Sequence, residues 1–482
     1  MRSILSAILL MISICCAGLA QALQKLSPLT QQFVSVDASV VALVHVRVID
    51  GTGAAPREDQ TILIDHGRIA AVGDAVAVPA SAKVIDINGR TIIPGLVGMH
   101  DHLFYPNQLA DRRTGPVIIY NEMGFSFPRL YLACGVTTLR TTGSIEPYTD
   151  LSLKKLIDTG KTPGPTMYIT GPYLEGVGSF TPNMHELTGP DDAMRLVNYW
   201  ASEGVTSFKA YMHITRAELK AAIDAAHAHG LKVTGHLCSI GFTEAAAVGI
   251  DDLEHGLFVD TEFVPGKKPD VCPSQVDTGK TMASLDIESA PVQKMIRDLV
   301  AHQVAVTSTL PVFELSIPGR PPLEPRVLAA LSPAARIDYL TIRALVGERA
   351  DSNAAVLLKK EMQFERDFVK AGGLLLAGED PTGYGGDLAG FGDQREVELL
   401  VQAGFTPEEA IHIATENGAK FLGTDSEIGT IAAGKDADLV VINGNPAKNI
   451  NDIEKVETVF KDGVGYDSAK LIESVNGAVG LH

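Results

Sequence analysis

Hydrophobic and polar positions change their period twice along the chain. Near the amino-terminal end, "VVALVHVRVIDGTG" alternates and stops at a turn sequence, and "QTILIDHGRIAAVGD" reads as two strands around His66-Gly67. "KVIDINGRTIIPG" repeats the theme around Asn88-Gly89, a strong hairpin signal. Short apolar runs then alternate with helical segments. "GVTTLRTTG", "TMYITGPYLE", "VTSFKAYM", "LKVTGHL", "DDLEHGLFV", "QVAVTSTLPVF" and "GGLLLAGED" read as buried strands. Between them "TRAELKAAIDAAHAHG" predicts a helix stopping at Gly230, and "GFTEAAAVG" another. A last helix begins at Thr406, with Pro407 in its first position and Glu409 placed to close a capping box. After it, "IGTIAAGKDADLVVINGNP" and "KVETVFKDGVGYD" return to the period of two.

Repeated strand–helix units predict an α/β fold, a (β/α)8 TIM-like barrel. The alternative, a doubly wound sheet, lacks a G-x-G-x-x-G fingerprint after its first strand. The two β-rich ends predict a small β-sandwich domain built from both. The expected division is 1–22 export signal, 23–94 first part of the β domain, 95–422 barrel and 423–482 second part of the β domain. Residues 260–290, rich in Pro, Asp and Lys, read as a loop insertion.

Composition narrows the partners. The 482 residues are 45% hydrophobic and 20% charged, an ordinary globular balance, with a formal charge of −18. No basic stripe favours nucleic acid or an anionic membrane surface. Arg2 followed by the short apolar run Ile4 to Cys16 and by "CAGLAQA" predicts an export signal, cut after Ala20 or Ala22. The rival is an uncleaved anchor, although the run falls short of the roughly 18 apolar residues of a spanning helix. The expected location is therefore periplasmic or secreted, with no stable membrane insertion after cleavage. Cys134, Cys238 and Cys272 remain; one bridge among them is possible, but the sequence cannot pair them.

The chemistry lies where strands should open into loops, the face that carries active sites in such barrels. His100 and His102 end "IIPGLVGMHDH", Lys209 lies in "VTSFKAYM", His236 ends "KVTGHL", His255 ends "DLEH", and Asp380 ends "LLLAGED". His100 and His102 are two apart and share a strand face, with Asp101 on the other; Lys209 and Tyr211 share a face likewise. Imidazole nitrogen and carboxylate oxygen suit zinc and related divalent ions. A lone histidine at a strand end is more often structural, and a lone strand lysine more often snorkels to solvent. Five metal-type residues and a lysine, all at strand ends, are harder to dismiss. His227 and His229 read as helix-end residues. His185 stays unplaced, with a loop position near the pocket open to it.

These phrases, together with "GTIAAGKDADLVVINGNP", resemble the amidohydrolase superfamily over nearly the whole mature chain. The resemblance implies that His100, His102 and Asp380 hold one metal ion and His236 and His255 a second. Lys209 would bridge them as a carbamate formed with CO2. The ions, zinc by preference, would supply a bridging hydroxide at neutral pH, and Asp380 would carry its proton to the leaving amine. Deaminases and imidazolone hydrolases of the superfamily generally hold one metal and carry a Glu three residues after the fifth-strand histidine; here that position is Ser239, which with Lys209 points to the two-metal branch. A one-metal site with an unmodified lysine, a deaminase, a lactonase or phosphotriesterase-like activity, and a non-catalytic binding barrel remain as rivals. The ligand phrases look most like prolidase-like dipeptidases, acyl-amino-acid hydrolases and ochratoxin hydrolases. That branch implies a small-molecule substrate with an amide and a carboxylate. Tyr211 and Arg140 are the expected partners of the carboxylate, with an internal structural pairing as the rival role for Arg140. Tyr105, Asn107 and Tyr384 are expected on loops lining the mouth. A homo-oligomer is compatible with this reading.

Overall fold

A computed structural model describes residues 25–111, 115–349 and 353–481. The expected export signal lies outside the described residues. No helix among those described is long and apolar enough to cross a membrane.

Strands from both chain ends form one nine-stranded sheet. The join is the antiparallel pairing of Thr91–Pro94 with Leu439–Ile442, in which Ile93 faces Val440. Val41, Leu43, Ile62, Ile64, Ile92, Leu439, Val441 and Phe460 pack into its apolar cluster. Each such side chain removed from water contributes on the order of 1.5–3 kcal/mol, and both chain ends supply members of the cluster. His66 and Gly67 turn tightly between Arg57–Asp65 and Arg68–Gly73, both with positive φ, as expected of a two-residue hairpin. Asn88-Gly89 also has positive φ at both residues but makes no hairpin. Lys83–Asp86 and Thr91–Pro94 each lie parallel to Val40–Val48, at successive stretches of it. The turn is thus a kink within one path running alongside a single neighbour.

The middle of the chain supplies eight parallel strands. Leu96–Asp101, Val136–Thr141 and Thr166–Tyr168 form one sheet. Ser207–Ala210, Lys232–Gly235, Asp252–Glu254, Ala305–Ser308 and Leu375–Ala377 form another, in sequence order. At one seam, Thr170 and Leu174 bridge in parallel to Ser207 and Ala210. At the other, the Asp380 N–H donates to the His100 carbonyl at 2.9 Å. A Cβ on Gly378 would sit 2.4 Å from the His100 nitrogen, so this approach requires glycine.

The helices follow their local signals. Thr215 and Glu218 close a capping box on Arg216–Ala228, and Gly230 follows with positive φ. Thr406 and Glu409 do the same for Pro407–His412. Two expectations fail. The 260–290 segment is more than a loop: it contains the helix Gln275–Ser284, whose Ser274 side chain accepts from the Asp277 N–H. The S-x-x-D signal was there, outweighed by the surrounding Pro and Lys. The stretch after His102 is not an open loop either. Phe104–Asp111 pairs with Gly115–Glu122 as an antiparallel hairpin; Pro106 within the run argued against a strand.

Candidate metal centre

Five of the six sequence-selected residues are buried: His100, His102, Lys209, His255 and Asp380. They meet where parallel strands end. His102 Nε2 lies 3.3 Å from Asp380 Oδ1, His100 Nε2 lies 3.7 Å from the same oxygen, and His255 Nε2 lies 3.9 Å from Oδ2. Lys209 Nζ is 3.0 Å from His100 Nε2 and lies over the rings of Tyr173 and Tyr211. His236, partly buried, joins through its ring, 4.5 Å from that of His255.

In three of the four histidines the other ring nitrogen is already engaged. His100 Nδ1 meets Glu254 Oε2 at 2.6 Å, His102 Nδ1 meets the Gly143 carbonyl at 3.3 Å, and His255 Nδ1 meets Thr309 Oγ1 at 2.7 Å. The Glu254 carboxylate and the Gly143 carbonyl only accept and so fix Nδ1–H on His100 and His102, and all three contacts aim Nε2 inward, the usual support of a metal-ligating imidazole. His255 Nε2 is buried with no hydrogen-bond partner. A buried ring nitrogen without a partner is costly, and in the Nδ1–H tautomer a divalent ion would supply what it lacks. His255, Asp380 and His100 offer one ligand atom each within 4.8 Å of one another. The donor set therefore fits a divalent metal.

The electrostatics agree. Burial, with Lys209 nearby, drives the His100 imidazole well below its ordinary pKa, and burial also lowers His102 and His255. His236 is driven down to about 3 by burial. Burial pushes the Asp380 carboxyl up, but His100, His102 and Lys209 outweigh it and hold it below the usual carboxylate range. Both directions, imidazoles lowered and carboxyl lowered, favour the protonation states metal ligation requires. Burial also lowers Lys209, to about 8. Backbone strain marks the same place: His255 and Asp380 have φ of 68° and 59°, unusual for side-chain-bearing residues.

The expected substrate contacts fare differently. Arg140 does not face the mouth. Its Nη2 donates to Asp252 at 2.8 Å and to Glu254 at 2.9 Å, and its Nε donates to the Met99 carbonyl at 2.8 Å. Fully buried, it holds Glu254, which in turn holds His100. The Tyr105 hydroxyl donates to the Gly385 carbonyl and the Tyr384 hydroxyl to the Leu315 carbonyl. Tyr105 and Asn107 belong to the hairpin strand Phe104–Asp111. Tyr211 stays at the centre, its ring 4.9 Å from that of His236. His185 pairs with Asp192 at 3.0 Å instead of lining the pocket, and His227 pairs with Asp251. The Ser239 hydroxyl donates to the Ile214 carbonyl. Cys238 and Cys272 form a disulfide.

Sequence reasoning missed Glu254, Thr309 and Gly143. Glu254 directly precedes His255 in "DLEH" and by alternation should point elsewhere; the left-handed turn at His255 lets both serve the centre. Gly143 acts through its carbonyl, which no side-chain motif records.

Residues 334–465 match the model of the amidohydrolase family. Over that stretch the chain resembles the amidohydrolase family. Among curated amidohydrolase relatives, a dihydroorotase of Mycobacterium tuberculosis is 38% identical over 74 residues, covering 15% of this chain and 17% of that enzyme. The chain thus spans only a small part of the dihydroorotase it matches. An imidazolonepropionase of Vibrio cholerae is 24% identical over 398 residues, 80% of this chain and 87% of the relative. Among solved structures, a Bifidobacterium longum protein assigned as a prolidase is 25% identical, with a TM-score of 0.63 over 91% of this chain and 99% of its own. A Xaa-Pro dipeptidase, 21% identical, superposes with a TM-score of 0.66 over 89% and 100%, a likeness of fold.

Proposed function

We propose that this protein is an exported, metal-dependent hydrolase of the amidohydrolase family that cleaves the C–N bond of a dipeptide or N-acyl amino acid. The observation that carries the reading is the convergence of His100, His102 and His255 Nε2 on the Asp380 carboxylate, with each Nδ1 already held. The likeness to a prolidase and a Xaa-Pro dipeptidase supports the substrate class. The two joined seams support a closed (β/α)8 barrel over 95–422, with the end sheet folded as a sandwich from 23–94 and 423–482. The Cys238–Cys272 disulfide supports export, since such bonds persist in oxidising compartments.

His100, His102 and Asp380 would hold one divalent ion, probed first as zinc, and His236 and His255 a second, with Lys209 carboxylated between them. Bound there, the ions would activate water and polarise the scissile carbonyl. Asp380, ionised and aimed into the centre, takes the proton from the attacking water and delivers it to the leaving nitrogen. Arg140 and Glu254 hold His100 in register, and Tyr211 lies beside His236 to orient the substrate.

Zinc-reconstituted mature protein assayed on Xaa-Pro dipeptides and N-acyl amino acids tests the reading. Metal-dependent release of free amino acid is expected. Ammonia release from nucleobase-like substrates instead would favour deamination.

A further inference from the structure

Beside His236 lies a cavity of about 230 Å3. Whole-ligand pockets are usually larger, at roughly 300–1,000 Å3, so this one is the size of a single side chain. Met212, Phe258, Gly279 and Met282 are among its lining, and no Asp, Glu, Lys or Arg among the described residues lines it. Its wall is continuous with the centre. Phe258 stacks face to face on Phe313 at 3.7 Å, and Phe313 sets its edge against His255 at 5.7 Å. On the other side, Met212 follows Tyr211, which packs on His236. The Cys238–Cys272 bond ties the segment after His236 to the entry of the helix Gln275–Ser284, which forms the far wall. A larger cavity, about 450 Å3, lies by His66, Asp436 and Lys461, and none of the six centre residues lines it.

Gly279 is the informative residue. It lies inside that helix, where glycine is roughly 0.5–1 kcal/mol less stable than alanine. Nothing local requires it: its φ is not positive, and a Cβ there would meet no atom within 4 Å. The missing side chain leaves open space on the cavity wall.

Building on the amide-hydrolase reading of the centre, we propose that this cavity is the subsite that sets the substrate class. It receives an aliphatic or aromatic side chain of a residue flanking the scissile amide. Carboxylate and ammonium side chains find no Asp, Glu, Lys or Arg partner among its described lining, and glycine leaves it unfilled.

The test compares kcat/KM of the zinc-reconstituted protein on N-acetyl-leucine, N-acetyl-phenylalanine, N-acetyl-glycine and N-acetyl-glutamate. Leucyl-proline and glycyl-proline place the variable side chain on the acyl half. A preference of about tenfold or more for the apolar member is expected in one series, within the range that pocket contacts of this size give. Gly279→Phe, which fills the cavity, should abolish that preference and leave the glycine substrate within about twofold. Gly279→Ala should keep the preference and fold at least as stably. Equal rates across both series, or a Gly279→Phe loss shared equally by every substrate, would overturn the proposal. If no amide is cleaved, the function reading fails by itself and calorimetry decides the subsite. Leucine and phenylalanine should bind more tightly than glycine, and Gly279→Phe should remove the difference; equal or absent binding counts against the subsite.

Discussion

His100 and Asp101 are neighbours on one strand, and Glu379 and Asp380 are neighbours past the end of another, yet the two pairs split between opposite environments. His100 and Asp380 face the centre, where His100, His102 and Lys209 hold the Asp380 carboxyl below the usual carboxylate range. Asp101 and Glu379 face away and meet Asp393, their oxygens within 4.8 Å of one another. There burial first, and Asp393 second, push Asp101 well above the carboxylate range, and Glu379 rises in the same way. Both Asp101 oxygens are buried without a hydrogen-bond partner, a setting that favours the protonated form. The same residue type has its pKa lowered on one face and raised on the other. Position within the alternation, and not chemistry of the side chain alone, decides which carboxylate can act. Asp101 makes neither the backbone tie nor the contact to a candidate ligand that its sequence position suggested; its oxygens lie with those of Glu379 and Asp393 behind the centre.

The sharpest way to separate the two faces is to neutralise one carboxylate on each. Asp380→Asn should lower turnover by about 10²- to 10⁴-fold, the usual contribution of a positioned acid–base, with the far-ultraviolet spectrum unchanged. Asp101→Asn should leave turnover within a few-fold. Equal losses would erase the distinction.

Next in size is the support behind His100. Arg140→Met leaves Asp252 and Glu254 buried without their cation, and such breaks destabilise by about 3–5 kcal/mol. Thermal melts should show a large drop, where a substrate-binding arginine would change KM and leave the melt alone. Thr309→Val removes the partner of His255 Nδ1 and should weaken metal affinity about 10- to 100-fold, read by chelator competition.

The face with raised carboxyl pKa values predicts a pH effect. Asp393 sits at about 7 in the folded chain, raised mainly by burial, against about 4 when unfolded. A carboxyl raised on folding binds its proton more tightly in the native state. Stability is therefore lost as pH climbs from about 4 through about 7. Asp393→Asn should flatten that stretch of the melting-temperature profile; an unchanged slope would mean the cluster is ionised throughout. The smallest effect belongs to Tyr384→Phe, which removes one partly buried hydrogen bond and about 1 kcal/mol, with KM unmoved.

Much of this was legible because strand ends announce themselves. Apolar runs closing on His, Lys or Asp located all six candidate residues, and the i, i+2 rule separated His100 and His102 from Asp101. The rest depended on features that alternation does not carry. The positive φ at His255 re-aims its side chain, a backbone carbonyl orients His102, and Arg140 turns inward to carboxylates on Asp252–Glu254, far along the chain. Asn88-Gly89 carried the turn chemistry of a hairpin, but pairing partners are chosen by the whole sheet. The hairpin beginning at Phe104 and the helix at Gln275 were hidden by proline and charge in otherwise ordered segments.

We propose that the six strand-end residues form a two-metal centre. The metal content of the mature protein, reconstituted with zinc and bicarbonate and freed of excess ion, tests it most directly. About two equivalents per chain, falling in Lys209→Ala and His255→Ala, is the expected result. A chain that retains no metal would contradict it.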